Sequence, residues 1–270
     1  MASDIAPEFR SRWQTPAFEV RFRAGREHPA CVVIPVINEG QRIRDLLIRM
    51  DQIGIAAVAD IVIVDGGSSD GSLEPGFLAS RGVRALLVKT GPGRLSAQLR
   101  CGYAFVLDEG YEDIVTIDGN NKDDPEAIPH FISALRAGVD FVQASRFIPG
   151  GVAENTPLAR EIAIRGIHAP LLSLFSGFRW TDTTQGFRAY SRKLLLDQRL
   201  NIFRSVFSDY ELLAYLSYRA PRLGFRCVEL PSKRTYPEAG KTPTKISVVR
   251  GNASVLMTLI RACSGMYNRP

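Results

Sequence analysis

The strongest constraint on the fold is a set of short apolar runs without polar alternation, each followed by a stretch of helical pattern. "CVVIPVI" at 31–37 and "IVIV" at 61–64 contain no polar residue. Such strands must be covered on both faces, as in a parallel sheet packed between helices. Further strand-like runs fall at 84–89 (RALLVK), 113–117 (DIVTI) and 140–146 (DFVQASR), and helical patterns fill 39–53, 72–81, 94–109 and 125–137. Strands alternating with helices of this length imply right-handed βαβ crossovers. The expected class is α/β, a mostly parallel Rossmann-like sheet flanked by helices. Past residue 150 the pattern changes. An amphipathic helix around 158–178, a Gly-containing segment at 180–190, a helix near 207–219 and a basic loop at 232–245 read as elaboration at the sheet edge.

A chain of 270 residues with 45% hydrophobic content can bury a substantial core, as one large domain or two small ones. Its net charge of +6 suggests an acidic partner, without choosing among phosphate, an anionic membrane and nucleic acid. Cys31, Cys101, Cys227 and Cys263 are scattered without a CxxC pair. Neither a zinc site nor a disulfide framework is expected, and a reducing cytoplasm is the default. The N-terminal "MASDIAPEFRSRWQ" lacks the apolar stretch of a signal peptide, and no run long enough to span a membrane occurs.

In open α/β sheets, ligands sit beyond the carboxyl ends of the strands. There the first run delivers Pro35, Asn38 and Glu39, the second Asp65 in "DGGSSDG", and the fourth Asp118 with Gly119 and Asn120. Asp65 alone reads equally well as a turn or cap carboxylate. Three converging carboxylates repel unless a donor-rich ligand or a cation offsets them. "TIDGNNKDDPEAI" at 116–128 has the form of a short Mg2+ or Mn2+ loop, with Asp118 and Asn120 as oxygen ligands. Asp123 or Asp124 then caps the helix that starts near Pro125. "KTGPGRLSAQLRCG" at 89–102 is a second Gly-rich loop opening a helix, a form that can cradle phosphate.

Seven segments in order through residues 31–250 carry a resemblance: "VVIPVINE", "IVIVDGGSSDGS", "IVTIDGNNKDDPEAI", "FVQASRF", "REIAIRG", "DTTQGFRAY" and "VELPSKRTYP...GKTPTKIS". Together they resemble a family 2 glycosyltransferase of the GT-A fold, most like the dolichyl- or polyprenyl-phosphate hexose synthases that make mannose or glucose glycolipids. The resemblance implies a single GT-A domain at 31–245 with acceptor-side elaboration, an N-terminal extension at 1–30 and a C-terminal amphipathic helix at 246–270. It implies inverting transfer from a UDP- or GDP-linked sugar to an acceptor, foremost a polyprenyl phosphate, in cell-envelope glycan synthesis. Pro35, Glu39, Asp65, Arg94 and Asp118 fall to the nucleotide-sugar, with Asp65 on the nucleobase side. Arg146, Arg160, Arg165, Arg188, Lys233 and Arg234 fall to the acceptor, joined by Lys241 and Lys245. Asp118, Arg146, Arg165 and Arg188 carry the chemistry.

The departures from the family pattern matter as much. The family commonly has two aspartates around one residue in the metal loop, and here the second is Asn120. Lys122 stands where Gln is frequent among close relatives, and Gly66 follows Asp65 where a second aspartate is frequent. Asn120 can still ligate through its carbonyl, while Lys122 can partly replace the cation at the diphosphate. Displacement at the anomeric carbon needs positive charge on the leaving diphosphate. A hydroxyl acceptor also needs a base, for which Asp209 or Glu211 in "VFSDYELLAYL" are candidates. A lipid phosphate is already ionised and needs cations instead. A sugar nucleotidyltransferase, a sugar-nucleotide binding protein with weakened catalysis and a family 2 transferase with a hydroxyl acceptor stay open. No nucleic-acid partner is expected. Residues 165–180 and 246–265 mix apolar faces with basic flanks, which suits peripheral contact with the inner face of a membrane, or with a membrane-protein partner.

Overall fold

The structure is a computed structural model that describes residues 5–237 and 250–268. In chain order the strands are β1 (Phe18–Arg23), β2 (Ala30–Val36), β3 (Asp60–Asp65), β4 (Val83–Lys89), β5 (Asp113–Thr116), β6 (Phe141–Ser145), β7 (Val152–Glu154), β8 (Arg188–Ser191), β9 (Cys227–Pro231) and β10 (Lys233–Thr235). The α-helices are α1 (Pro7–Arg10), α2 (Gln41–Gln52), α3 (Pro75–Ser80), α4 (Leu95–Asp108), α5 (Ile128–Arg136), α6 (Leu158–Ala163), α7 (Ala169–Ser176), α8 (Arg192–Leu195), α9 (Glu211–Arg222) and α10 (Arg250–Cys263). The main sheet has the order β1-β4-β3-β2-β5-β8-β6-β9, and β7 pairs with β10 in a small parallel sheet.

β4, β3, β2 and β5 are parallel, as the unbroken apolar runs require. Every residue of β2 and β3 is buried, and alternate side chains feed two apolar layers. One layer joins Val33 and Val64 to α4 and α9, and the other joins Val32 and Ile63 to α2 and α5. On α2, Ile43, Leu46, Leu47 and Met50 form the buried stripe expected of a helix against a sheet.

Three strands of the main sheet escape the sequence reading. β8 lies inside the Gly-containing segment and runs antiparallel between β5 and β6, so those two strands are not neighbours. Four residues, "RAYS", are too few to show a period. β9 pairs with β6. β1 pairs antiparallel with β4 at the sheet edge, and its "FEVRFR" alternates apolar and charged residues, a period-2 strand signal that the search for unbroken apolar runs passes over. Residues 5–30 are therefore packed on the domain, where the Trp13 ring stacks on Phe203 at 3.7 Å. The helix expected at 158–178 spans α6, a π-helical turn at Ile164–His168 and α7, and it stops at Gly177 with φ 75°. α10 packs against α9 and α7.

Candidate active site

The loops at the carboxyl ends of β2 and β3 are tied to each other. Gly40 N donates to Asp70 Oδ2 at 2.7 Å, Ser69 N to Asn38 Oδ1 at 2.8 Å, and Asn38 N to Ser68 Oγ at 2.9 Å. Gln98 on α4 donates to the carbonyls of Val36 and Val64, the last turns of both strands. The Asp65 carboxylate accepts from Ser68 Oγ at 2.6 Å, Ser68 N at 2.8 Å and Gly67 N at 3.1 Å. It thus shapes its own turn while lining an open cleft of about 540 Å³ with Arg21, Ser68, Asp70, Glu74 and Val88. Pro35 is buried in β2, and Glu39 accepts from Arg42 at 2.6 Å.

Asp118 follows β5 and stands at the centre of the site. A Cβ on Gly186 would run into its carboxylate, so the loop after Asp182 approaches only because residue 186 has no side chain. Likewise a Cβ on Gly119 would lie 2.9 Å from Val36 Cγ2, which explains the small residue between Asp118 and Asn120. Arg234 on β10 spans two acids. Its Nη1 donates to both Asp123 oxygens at 2.6 Å, and its Nη2 reaches Asp118 Oδ2 at 3.5 Å. Thr235 N also donates to the Lys122 carbonyl at 2.8 Å, so β10 holds the loop of Asp118 through backbone and side chain. Burial pushes the Asp123 carboxyl up to about 6 against the pull of Arg234. Burial also lowers Arg234, but Asp123 and Asp118 outweigh it and hold the guanidinium above its usual value.

Tyr236 gathers the cations. Lys122 Nζ lies 4.9 Å from its ring centroid, and the Arg160 and Arg234 guanidinium carbons lie 5.7 and 5.8 Å away. Burial would raise the Tyr236 phenol, yet Arg234, Arg160 and Arg146 bring it below its ordinary value. Lys122 is 9% exposed, and burial followed by Arg234 lowers its ammonium. Arg146 is fully buried and donates to both Asp182 oxygens, at 2.7 and 3.0 Å. Arg234 thus faces Asp123 and Arg146 faces Asp182, and Lys122 and Arg160 add further positive charge around the Tyr236 ring beside Asp118.

On the other flank, the start of α9 meets the Gly-rich loop before α4. Arg94 N donates to the Ser208 carbonyl at 2.8 Å, and the exposed Arg94 Nη1 lies 3.4 Å from Asp209 Oδ2. Burial pushes the Asp209 carboxyl up while Arg94 opposes it. Glu211, the first residue of α9, folds its Oε2 back onto the amides of Asp209 and Ser208, at 2.5 and 2.9 Å, and so holds the turn that leads into the helix. Tyr210 is raised by burial and by Asp209 and Asp118, so this flank faces the same carboxylate.

The structure corrects several site expectations. Arg188 is 1% exposed and donates to the carbonyls of Gln185, Leu213 and Thr183 and to Ser217 Oγ. It locks the loop of Gly186 onto α9 and does not reach the cleft. Arg146 likewise supports the site from below through Asp182. Arg165 is exposed, pairs with Glu161 one turn away at 2.9 Å and lies over the Phe147 ring, outside the Tyr236 cluster. Lys233 points away from Arg234 along β10 and pairs with Glu154 at 2.7 Å. Lys241 and Lys245 fall outside the described residues. Asp124, rather than Asp123, caps the turn at Pro125. The sequence reading gave no role to Tyr236, Asp182 or Gly186, although all three stand in its own quoted segments. Tyr236 and Gly186 each stand two residues from an arginine, Arg234 and Arg188, a proximity that a single sequence does not rank, and Asp182 has no such neighbour.

The residues of the expected metal loop do not fit a resident Mg2+ or Mn2+. Such ions take several hard oxygen ligands, carboxylates foremost. Here Asp118 is the one carboxylate of the Asp118–Asn120 pair, and Asn120 Oδ1 accepts from Lys122 N at 3.1 Å. A dication on Asp118 would also lie beside Arg234. Unit charges about 4 Å apart repel by about 4 kcal/mol at a typical surface dielectric, and a divalent ion doubles that. A separate group, Glu27, His28 and Asp60, lies at the opposite end of β3 from Asp65. There Asp60 Oδ2 accepts from Tyr111 Oη at 2.7 Å and Glu27 N at 2.9 Å, while His28 Nε2 lies 3.1 Å from the Ala56 carbonyl. That arrangement ties the strand to the segment before β2.

A mostly parallel sheet whose strand ends carry an open cleft at Asp65, an acidic loop at Asp118 and a cationic wall has the layout of a GT-A transferase. Residues 31–198 match the sequence profile described as glycosyl transferase family 2. The chain belongs to that family and is a glycosyltransferase. It is 28% identical over 225 residues to the polyprenol monophosphomannose synthase of Mycolicibacterium smegmatis, covering 81% of this chain and 82% of that protein. It is 30% identical over 232 residues to the undecaprenyl-phosphate mannosyltransferase of Micrococcus luteus, covering 84% and 91%. The fold also matches glucosyl-3-phosphoglycerate synthase from Mycobacterium tuberculosis, crystallised with Mn2+ and UDP-glucose, with a TM-score of 0.62, 18% identity and coverage of 89% and 80%.

Proposed function

We propose that this protein moves a hexose, with inversion, from a UDP- or GDP-linked donor to a polyprenyl phosphate. The observation that carries this reading is the gathering of Lys122, Arg160 and Arg234 around Tyr236 beside Asp118. An acceptor phosphate is ionised at neutral pH, so it needs cations and no base. Of the two carboxylates considered as a base, Glu211 is held by the amides of Ser208 and Asp209, and Asp209 lies beside the exposed Arg94. The names of the M. smegmatis and M. luteus relatives point the same way. In this reading the nucleobase enters the cleft at Asp65, and the diphosphate lies toward Asp118, its leaving charge met by Lys122 and Arg234. Asp118 orients the donor sugar from the loop that Arg234 holds, and Arg160 meets the acceptor phosphate.

The lipid end has a matching surface. Leu158, Ile162, Ile167, Leu174 and Phe175 are exposed on the same helical stretch that carries Arg160 and Arg165, and Met257 and Ile260 are exposed on the neighbouring α10. An apolar face with basic flanks suits the headgroup boundary of a bilayer. Among the described residues no helix is long and apolar enough to cross a membrane. All four cysteines are buried free thiols, which suits a reducing compartment. We therefore place the protein peripherally on the cytoplasmic face of a membrane.

The test is incubation with polyprenyl phosphate in vesicles and a panel of UDP- and GDP-sugars. Glycolipid together with free nucleoside diphosphate is expected. Pyrophosphate release would instead mark a nucleotidyltransferase, and donor binding without turnover a binding protein.

A further inference from the structure

We propose that Lys122 and Arg234 take the place of a divalent cation at the donor diphosphate, so that this glycosyltransferase binds its nucleotide without metal. The inference rests on the sugar-nucleotide reading above and names how that site holds its ligand. Three features of the loop after β5 carry it. The position two residues beyond Asp118 is an amide, and its oxygen is turned back onto Lys122 N at 3.1 Å. Asp123, the next carboxylate, has both oxygens on Arg234 and is 1% exposed, so neither oxygen is available to an ion. Arg234 in turn reaches Asp118 at 3.5 Å, occupying one side of the carboxylate on which an ion would sit.

The same geometry supplies what the ion would have supplied. Lys122 extends from the loop of Asp118 and lies over the Tyr236 ring. Arg234 is fixed by its Nη1, shared between both Asp123 oxygens, and its strand is hydrogen-bonded to the Lys122 carbonyl. A planar guanidinium with one nitrogen held by a carboxylate keeps a fixed plane for its other N–H groups, an arrangement suited to phosphate oxygens. Lys122 adds a compact point charge beside it. The departure at Asn120 and the departure at Lys122 are then one change: losing the second acid removes the ion, and gaining the lysine replaces its charge.

The experiment measures UDP and GDP binding by calorimetry, with and without Mn2+, in metal-stripped full-length protein. Wild type is expected to bind one of them with an affinity that Mn2+ leaves within about twofold. Lys122→Gln is expected to weaken binding by roughly 10-fold or more, the scale of a lost charge-assisted hydrogen bond. Asn120→Asp combined with Lys122→Gln is expected to regain affinity only when Mn2+ is present. Tightening of wild-type binding by about 10-fold or more on adding Mn2+ would overturn the inference while leaving the sugar-nucleotide reading intact. So would unchanged affinity in a folded Lys122→Gln protein. Failure to bind either nucleotide, with or without Mn2+, would overturn both.

Discussion

Gly186 shows how much of the site depends on one missing side chain. Its place in "DTTQGFRAY" carries no charge, yet any Cβ there collides with the Asp118 carboxylate. Gly186→Ala should keep the fold, because the loop stays locked by Arg188, and lose about 10²-fold in kcat/KM, the scale of a displaced reacting group. Steady-state kinetics on the folded variant checks this. The arginines separate in the same way. Arg160→Ala should lower kcat/KM for polyprenyl phosphate by about 10- to 100-fold, the equivalent of roughly 1.5–3 kcal/mol for a charged hydrogen bond. Arg165→Ala should cost less than about threefold, since its exposed pair with Glu161 is worth about 0.3–0.5 kcal/mol. A larger defect at Arg165 than at Arg160 would move the acceptor toward Phe147. Sequence alone weighted Arg165 and Arg188 toward the chemistry because it read both as charges in matching segments. Only packing distinguishes a guanidinium consumed by carbonyls from one facing a cleft.

At the scale of elements, the parallel strands were legible because burial on both faces leaves no polar residue to blur them. β8 was not, because its pairing with β5 and β6 is decided by contacts far apart in the chain. The helix of residues 158–176 was legible in extent, whereas its π-helical turn at Ile164–His168 was not. π-turns break the i to i−4 ladder and gather at functional sites, and this one lies between Arg160 and the exposed Leu174 and Phe175. His168 closes it, with a ring that burial, and then Arg160, holds below the usual imidazole value. The unfolded chain, with an ordinary pKa of about 6.5, therefore takes up a proton before the folded one does. Stability should fall as pH drops through about 6.5 and level off below the folded-state value. His168→Gln removes this contribution, so its melting temperature relative to wild type should rise between pH 7.5 and pH 5, a range set about that same value. A constant difference across that range would show that His168 does not titrate with folding.

Across the whole molecule, one end of the sheet carries the proposed site, and the helices beside it carry exposed apolar side chains. The fold class was legible because each strand and helix is local in the chain, and the same locality puts Asp65 and Asp118 at the carboxyl ends of β3 and β5. The sequence reading named Lys122, Arg160 and Arg234 separately but not Tyr236 or the wall the four build, whose members come from three separate segments and meet only when β10 docks beside the loop of Asp118. That wall is the reason to regard the acceptor as an anion, and one comparison tests it directly. Rates of sugar transfer are measured in identical vesicles loaded either with polyprenyl phosphate or with the matching polyprenol, which differs only by the phosphate. Turnover with the phosphate and none detectable with the alcohol is the expected result; equal or faster transfer to the alcohol would contradict the account.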